Sequence, residues 1–319
     1  MPHEPTALAG AQPSAWHAVL DSPTTILADG IRYLRGGSLD RAWSSFAQAA
    51  QRSRDPRIRS EAYRRMADVK RRRAEWAEAL QLTARAVRIA SDHGLREEGA
   101  AARNIEGTIH LQRGDFERAI TVYQEALAVH PGPHQRGLIC QNLGTAFAQN
   151  GFHSEAADWY ARSSEAFRVA GRPREELLAL INQGNVLLDQ GDFAAAEETF
   201  RHALRLTDSE YIGDAELQGL VEMNLAEALG GQGIHLDMAM NLVLSATGHF
   251  SASENKPYRV ACHRVVALIS EKGGDLDTAV VALERGLELA GEIGSGPELA
   301  KCERELARLY REYQHNPSE

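Results

Sequence analysis

The feature that most constrains the fold is an internal repeat with a period of about 40 residues. Seven segments align on their turns and begin near residues 23, 60, 100, 137, 177, 219 and 260, so successive starts lie 37 to 42 residues apart. A period in this range is typical of arrays in which each small unit buries its apolar face against its neighbours. The repeat therefore argues against two independent globular domains, which a length of 319 residues would otherwise suggest.

Three positions of each repeat carry short side chains, and a fourth carries mostly large apolar ones. The first small column is Gly30, Ala67, Gly107, Gly144, Gly184, Ala226 and Ala267. The second is Ala42, Ala79, Ala119, Ala156, Ala196, Ala239 and Ala279, and the third is Ala49, Ala86, Ala126, Ser163, Ala203, Ala246 and Gly286. The large column is Phe46, Thr83, Tyr123, Tyr160, Phe200, Val243 and Leu283. Helices approach closely only where side chains are short, so the pattern predicts antiparallel helix pairs, with the large residue packed between neighbouring repeats.

The turn between the two helices of a repeat has its own pattern. Glycine can adopt the left-handed conformation that ends a helix, and Ser or Asp can cap the next one. The glycines predicted to do so are Gly37, Gly114, Gly191 and Gly274, and the predicted caps are Ser38, Asp115, Asp192 and Asp275. Only 11 prolines and 6% aromatic residues are present, which favours helices over strands. The sequence predicts an all-α fold.

Taken together, these columns resemble the tetratricopeptide repeat, and the best single match is GLICQNLGTAFAQNGFHSEAADWYARS. In that segment Leu143, Gly144, Phe147, Ala156 and Tyr160 stand at the family's characteristic positions. The resemblance covers residues 23 to about 290, and the repeat length is similar to the extended variety of bacterial sensory and regulatory proteins. It implies a right-handed superhelical solenoid of about seven antiparallel helix pairs, whose first helices line a concave surface.

The resemblance also sets the expected domain organisation. Residues 1–22 are expected to be a partly disordered N-terminal extension, residues 23–296 the repeat array, and residues 297–319 a capping helix with a short tail. The last segment places Leu299, Cys302, Leu306, Leu309 and Tyr313 on one apolar stripe of a helix. Such a helix would cover the core that the final repeat otherwise exposes.

Candidate ligand contacts follow from the family's binding position, two residues before the first small column. That position holds Asn142, Asn182 and Asn224, and Asn185 lies one helical turn beyond Asn182. A carboxamide offers both a donor and an acceptor to an extended peptide backbone, so we expect these residues to contact a peptide. The alternative is that they form hydrogen bonds to neighbouring helices.

A second candidate surface is basic. In the second repeat the equivalent position is Arg65, accompanied by Arg64, Arg71 and Arg72, and guanidinium groups bind carboxylates bidentately. A solvated basic face is the alternative. Residues 30–75 hold thirteen Lys or Arg against five Asp or Glu, whereas residues 208–319 hold nine against nineteen. This polarity favours an acidic partner at the N-terminal end.

Other classes of function lack support in the sequence. Cys140, Cys262 and Cys302 are far apart, no HExxH or GxSxG motif occurs, and neither a metal, a cofactor nor a catalytic group is expected. The basic run from Lys70 to Arg73 stands in a chain of net charge −9, which disfavours nucleic acid as the partner. No apolar stretch approaches about 18 residues, so a cytoplasmic protein is expected rather than a membrane protein.

The leading interpretation is a non-catalytic module, a scaffold or a sensor, that binds a protein or peptide segment in its concave groove. Two alternatives stay open. One is a self-assembling homo-oligomeric scaffold, in which the acidic end of one copy binds the basic end of another. The other is an accessory subunit of an enzyme or regulator.

Overall fold

A computed structural model describes residues 22–207 and 213–315, with side chains described up to Arg311. Within these residues the chain forms fifteen α-helices and no strands, which confirms the predicted all-α fold. The predicted N-terminal extension lies almost wholly outside the described residues, as do residues 316–319 of the predicted tail, and the side chain of Tyr313 is likewise not described.

The helices follow one another in antiparallel pairs joined by short turns. The first four pairs are α1 (Pro23–Arg35) and α2 (Leu39–Arg52), α3 (Pro56–Arg72) and α4 (Trp76–Asp92), α5 (Arg96–Gln112) and α6 (Phe116–Ala128), and α7 (Pro133–Gln149) and α8 (His153–Val169). The remaining pairs are α9 (Pro173–Gln190) and α10 (Phe193–Thr207), α11 (Ala215–Gln232) and α12 (Leu236–Ala252), and α13 (Lys256–Lys272) and α14 (Leu276–Glu292). A single helix, α15 (Gly296–His315), follows them.

The predicted turn chemistry is confirmed at most positions. Gly37, Gly114, Gly191 and Gly274 have φ angles of 74°, 76°, 75° and 83°. The carboxylates of Asp115, Asp192 and Asp275 accept a backbone N–H three residues on, at 3.4, 3.1 and 3.0 Å.

The predicted Ser38 cap is wrong, because its side chain makes no capping hydrogen bond. Its ψ of 72° holds the short hydroxyl away from the next turn, whereas Ser22, with an extended ψ of 145°, does cap α1.

Close packing between the two helices of a pair rests on the small columns. All seven alanines of the second column are fully buried. In four repeats, a Cβ added to the first-column glycine would come within 3 Å of the aromatic ring in the large column, at Gly30–Phe46, Gly107–Tyr123, Gly144–Tyr160 and Gly184–Phe200. The three repeats with Ala in the first column carry Thr83, Val243 and Leu283 in the large column instead. The large residue was predicted to pack between neighbouring repeats, but in these four repeats its ring lies against the first helix of its own pair, and the two residues are matched in size.

The chain divides into two compact units between Asn142 and Leu143, inside α7. The core of the first unit is built around Phe46, Tyr63 and Val69, and the largest core of the second unit around Phe200, Leu225 and Phe250. All three cysteines are buried and free. None of the described helices combines the length and the apolar character needed to cross a membrane.

The last helix covers the end of the second unit, as predicted for a capping helix. Leu309 of α15 joins the core that contains Ala267 and Leu283, and Cys302 packs with Val260 and Leu289. Polar contacts supplement this packing, because Arg264 and Glu271 of α13 both form ion pairs with α15.

Candidate binding surfaces

Four arginines of α3 form one surface, which we call the arginine face (Arg64, Arg65, Arg71 and Arg72). Arg64 donates two hydrogen bonds to one oxygen of Glu61, and Arg65 donates to the other oxygen over 2.7 Å. One turn further on, Arg71 donates to Asp68 Oδ1 at 2.6 and 2.9 Å, and Arg72 donates to Asp68 Oδ2 at 3.2 Å. Four positive groups thus share two carboxylates, which leaves the face positively charged.

These carboxylates hold the guanidinium groups in place, and the arginines keep Glu61 ionised. Burial alone would raise the pKa of Glu61, but the charges and hydrogen bonds of Arg64 and Arg65 outweigh burial and lower it. Arg71 also donates to Gln112 Oε1 of α5 at 2.9 Å, which ties the face to the next repeat. Because a guanidinium has five N–H donors, the arginines keep donors for a further acceptor. The face is therefore an ordered cationic surface rather than a set of freely solvated chains.

Asn142 belongs to the first unit and is half-buried. Its Nδ2 donates to Oδ1 of Asn104, on α5, over 2.9 Å. The sequence analysis missed Asn104, because the register selects the residue two before Gly107, which is Ile105. Asn104 could have been found from the sequence as an asparagine one position before the expected column, in the repeat that precedes Asn142.

The other predicted asparagines lie in the second unit and differ in exposure. Asn224 on α11 is 4% exposed, and its Nδ2 donates to Oδ1 of Asn185 on α9 over 2.7 Å. Asn185 is exposed, and Asn182 is half-buried. Within the described residues the carboxamide of Asn182 makes no hydrogen bond. Asn142 and Asn224 thus do bond to neighbouring helices, whereas Asn182 and Asn185 retain polar atoms that a ligand could reach.

A cavity of about 300 Å³ in the second unit is reached on α11 one helical turn beyond Asn224. Glu227, one turn along α11, lines it together with Arg264, Glu271, Glu305 and Arg308 and several apolar side chains. Arg264 donates to Glu305 at 2.6 and 2.9 Å, and Arg308 donates to both oxygens of Glu271 at 2.6 Å. The carboxyl of Glu227 has no such partner among the described residues, and burial raises its pKa.

Leu188, which lines this cavity, lies one helical turn beyond Asn185 on α9, so the carboxamides of Asn182 and Asn185 and the charged groups of the cavity form one set of polar residues on the first helices of the second unit. We call it the polar row and define it as Asn182, Asn185, Glu227, Arg264 and Glu271. The sequence analysis missed its charged members. Arg264 and Glu271 form ion pairs with residues 41 and 37 positions further along the chain, which is close to one repeat period. That spacing of opposite charges could have identified them from the sequence.

Comparison with known proteins supports the repeat architecture. Residues 59–131 and 138–209 match the family model of the tetratricopeptide repeat. These two segments are tetratricopeptide repeats. The photosystem I assembly protein Ycf3 of Cuscuta gronovii is 27% identical over 124 residues, which cover 36% of this chain and 74% of that protein.

Solved structures with tetratricopeptide-like repeats resemble the chain at low identity, so they inform the fold alone. A signal transduction ATPase with numerous domains from Pyrococcus horikoshii, which has a tetratricopeptide repeat sensor, superposes with a TM-score of 0.71 at 12% identity. That match covers 90% of this chain and 45% of the ATPase. A Rap protein in complex with the competence and sporulation factor gives a TM-score of 0.56 at 13% identity, covering 93% of this chain and 77% of the Rap protein.

Proposed function

We propose that this chain is a non-catalytic protein-binding module that holds an extended segment of a partner protein against the first helices of its repeats. The observation that carries the proposal is the polar row, in which reachable carboxamides stand beside a cavity that holds charged groups. An extended backbone presents alternating N–H and C=O groups, and a carboxamide can satisfy both. Charged side chains of the same segment would then reach the ion pairs of the cavity.

The first unit supports the same protein-binding function but favours a different kind of side chain on the partner. Its arginine face carries more positive than negative groups, and its guanidinium donors are held in place by Glu61 and Asp68. Preorganised guanidinium groups bind carboxylates in well-defined geometry. We therefore propose that acidic residues of the partner bind at this end.

The named relatives are consistent with a role in protein association. One is an assembly protein of photosystem I, and another was solved in complex with the competence and sporulation factor. The partner of this chain is a proposal drawn from its own surfaces.

The test replaces Asn182 and Asn185, whose polar atoms a ligand could reach, and the half-buried Asn142 by alanine, and it spares the buried Asn224. Each neutral hydrogen bond contributes about 0.5–1.5 kcal/mol, so the triple variant should bind its partner about tenfold or more weakly. The partner is captured from native cell extract, and its affinity for purified wild type and variant is then measured by calorimetry.

The matched control replaces three exposed carboxamides on second helices, Gln48, Gln81 and Gln124, by alanine. This control should bind as the wild type does, and circular dichroism should show equal helix content in all three proteins. Equal affinity of the Asn variant and the wild type, at equal helix content, would contradict the proposal.

The charge asymmetry favours one competing function, a scaffold built from copies of this chain. Residues 30–75 are basic and residues 208–319 are acidic, so head-to-tail contacts between copies would be electrostatically favourable. Oligomers that grow with protein concentration and dissociate as salt is raised would support this scaffold. Sedimentation of the purified chain distinguishes the two functions, because only the scaffold requires oligomers whose size increases with protein concentration.

A further inference from the structure

A second groove lies on the side of α3 opposite the arginine face, between α2, α3 and α4. A helix turns every 3.6 residues, so Arg59, Tyr63 and Met66 point away from Glu61 and Asp68. The groove encloses about 880 Å³. It lies within the first unit and shares no residue with the arginine face or the polar row.

The lining of this groove combines an apolar floor with cations. Trp43, Tyr63, Met66 and Leu82 supply the apolar and aromatic surface, and Arg54, Arg59 and Arg85 supply three guanidinium groups. The described residues that line it include no Asp or Glu. The guanidinium of Arg85 lies 4.2 Å from the centre of the Tyr63 ring, which fixes its position over the floor.

The equivalent groove of the fifth repeat, between α8, α9 and α10, carries a carboxylate and an imidazole at these two positions. Arg59 aligns with Glu176, and Arg85 aligns with His202, each pair of positions being 26 residues apart. In the fifth repeat Glu176 Oε1 and His202 Nε2 approach to 3.7 Å, and Asp158 and Glu198 also line the groove.

In the second repeat both equivalent positions are arginine. Two like charges in one groove repel each other, and an anion placed between them removes that repulsion.

We propose that the groove between α2, α3 and α4 binds an acidic segment of a partner protein. One carboxylate of the segment lies between Arg59 and Arg85, and an adjacent apolar side chain packs on Trp43 and Leu82, the half-buried apolar residues of the groove. The two features select for this occupant together. The arginines require an anion, and the apolar floor is covered only by a ligand that also carries hydrocarbon or aromatic surface.

An arginine pair at the same two positions also occurs in the fourth repeat, as Arg136 and Arg162, both exposed. The positive charge alone is therefore not specific to the second repeat. The second repeat differs because its arginine pair lines a groove together with Trp43, Tyr63 and Met66. This recurrence provides a matched control, because the same two charges can be removed from equivalent positions elsewhere in the chain.

The experiment measures binding of a fluorescent peptide to the full chain by anisotropy. The probe is a short peptide with glutamates on both sides of one central phenylalanine, and a second probe has glycine in place of phenylalanine. We expect saturable binding of the first probe, weakened about tenfold or more in Arg59→Gln/Arg85→Gln, since two charge-assisted contacts are lost. The Arg136→Gln/Arg162→Gln control should bind as the wild type does. The glycine probe should bind the wild type more weakly than the phenylalanine probe.

Three results would overturn the proposal. They are absence of saturable binding, equal weakening by both double variants, and no difference between the two probes. Concentration-dependent self-association of the wild type that Arg59→Gln/Arg85→Gln abolishes would assign the groove to a second copy of the chain instead. The Asn142/Asn182/Asn185 variant should bind the probe normally, so failure of this proposal is distinguishable from failure of the proposed function.

Discussion

A single position on the first helix of each repeat determines which side chain the second helix can carry. Glycine stands opposite Phe46, Tyr123, Tyr160 and Phe200, whereas alanine stands in the repeats that carry Thr83, Val243 and Leu283. One methyl group therefore decides whether a ring fits between the helices. Interiors packed to crystal-like density respond to such changes, because the surrounding structure cannot move away freely.

Gly184→Ala tests this steric match. The new Cβ would lie within 3 Å of three atoms of the Phe200 ring, so we expect a destabilisation of about 1–3 kcal/mol in spite of alanine's better helix propensity. The change is measured as the shift in urea-induced unfolding followed by circular dichroism. The double variant Gly184→Ala/Phe200→Val copies the sixth repeat, Ala226 with Val243, and should recover part of the loss.

The control for this test is Gly248→Ala on α12. Gly248 is exposed, and an added Cβ would meet no atom within 4 Å. Alanine should therefore stabilise the helix there by about 0.5–1 kcal/mol through propensity alone. Destabilisation at Gly248, or a neutral Gly184→Ala, would refute the steric explanation.

The small columns and the turn glycines of each helix pair could be predicted from the sequence, whereas the contacts between repeats could not. The small columns and the turn glycines repeat at fixed offsets, because each reflects a local requirement of one helix pair. The bonds of Asn104 with Asn142 and of Asn185 with Asn224 depend on how successive first helices are aligned, and the offset from the small column differs between them. The division into two units inside α7 is also invisible in the sequence, since the repeat continues across it.

At the scale of elements, α15 is held to α13 by buried apolar side chains and by two ion pairs. The hydrogen bond from Arg308 lowers the pKa of Glu271, and that effect outweighs burial, which would raise it. A carboxyl with a lowered pKa in the folded state contributes stability that is present above its ordinary value of 4.5 and is lost as the pH falls through the folded value. Attachment of α15 should therefore weaken below about pH 4.5.

Hydrogen exchange measures this attachment. Protection factors of the α15 amides should fall in the wild type as the pH is lowered below about 4.5. Glu271→Gln should show lower protection at neutral pH and a smaller fall on acidification. Glu288→Gln on α14 removes an exposed carboxylate and should behave as the wild type does. An acid response of the same size in Glu271→Gln would mean that other carboxylates control the helix.

At the scale of the whole molecule, stability in a repeat array comes from each unit and its immediate neighbours. The described helices of the second unit show this pattern, since α15 shares a core with α13 and α14 and with no earlier helix. Binding at one place therefore does not require the whole chain to be rigid. It follows that damage at the end of the array should spread gradually and not unfold the second unit at once.

A variant that ends at Gly294 tests this expectation, because it removes α15 and exposes Leu283 and Leu289. Amides of α13 and α14 should exchange about tenfold or more faster, while those of α9 change little. A variant that ends at His315 keeps α15 and should match the full chain. Equal acceleration from α9 to α14 would show that the second unit unfolds as one block. No acceleration in α13 and α14 would show that α15 is not needed to cover their core.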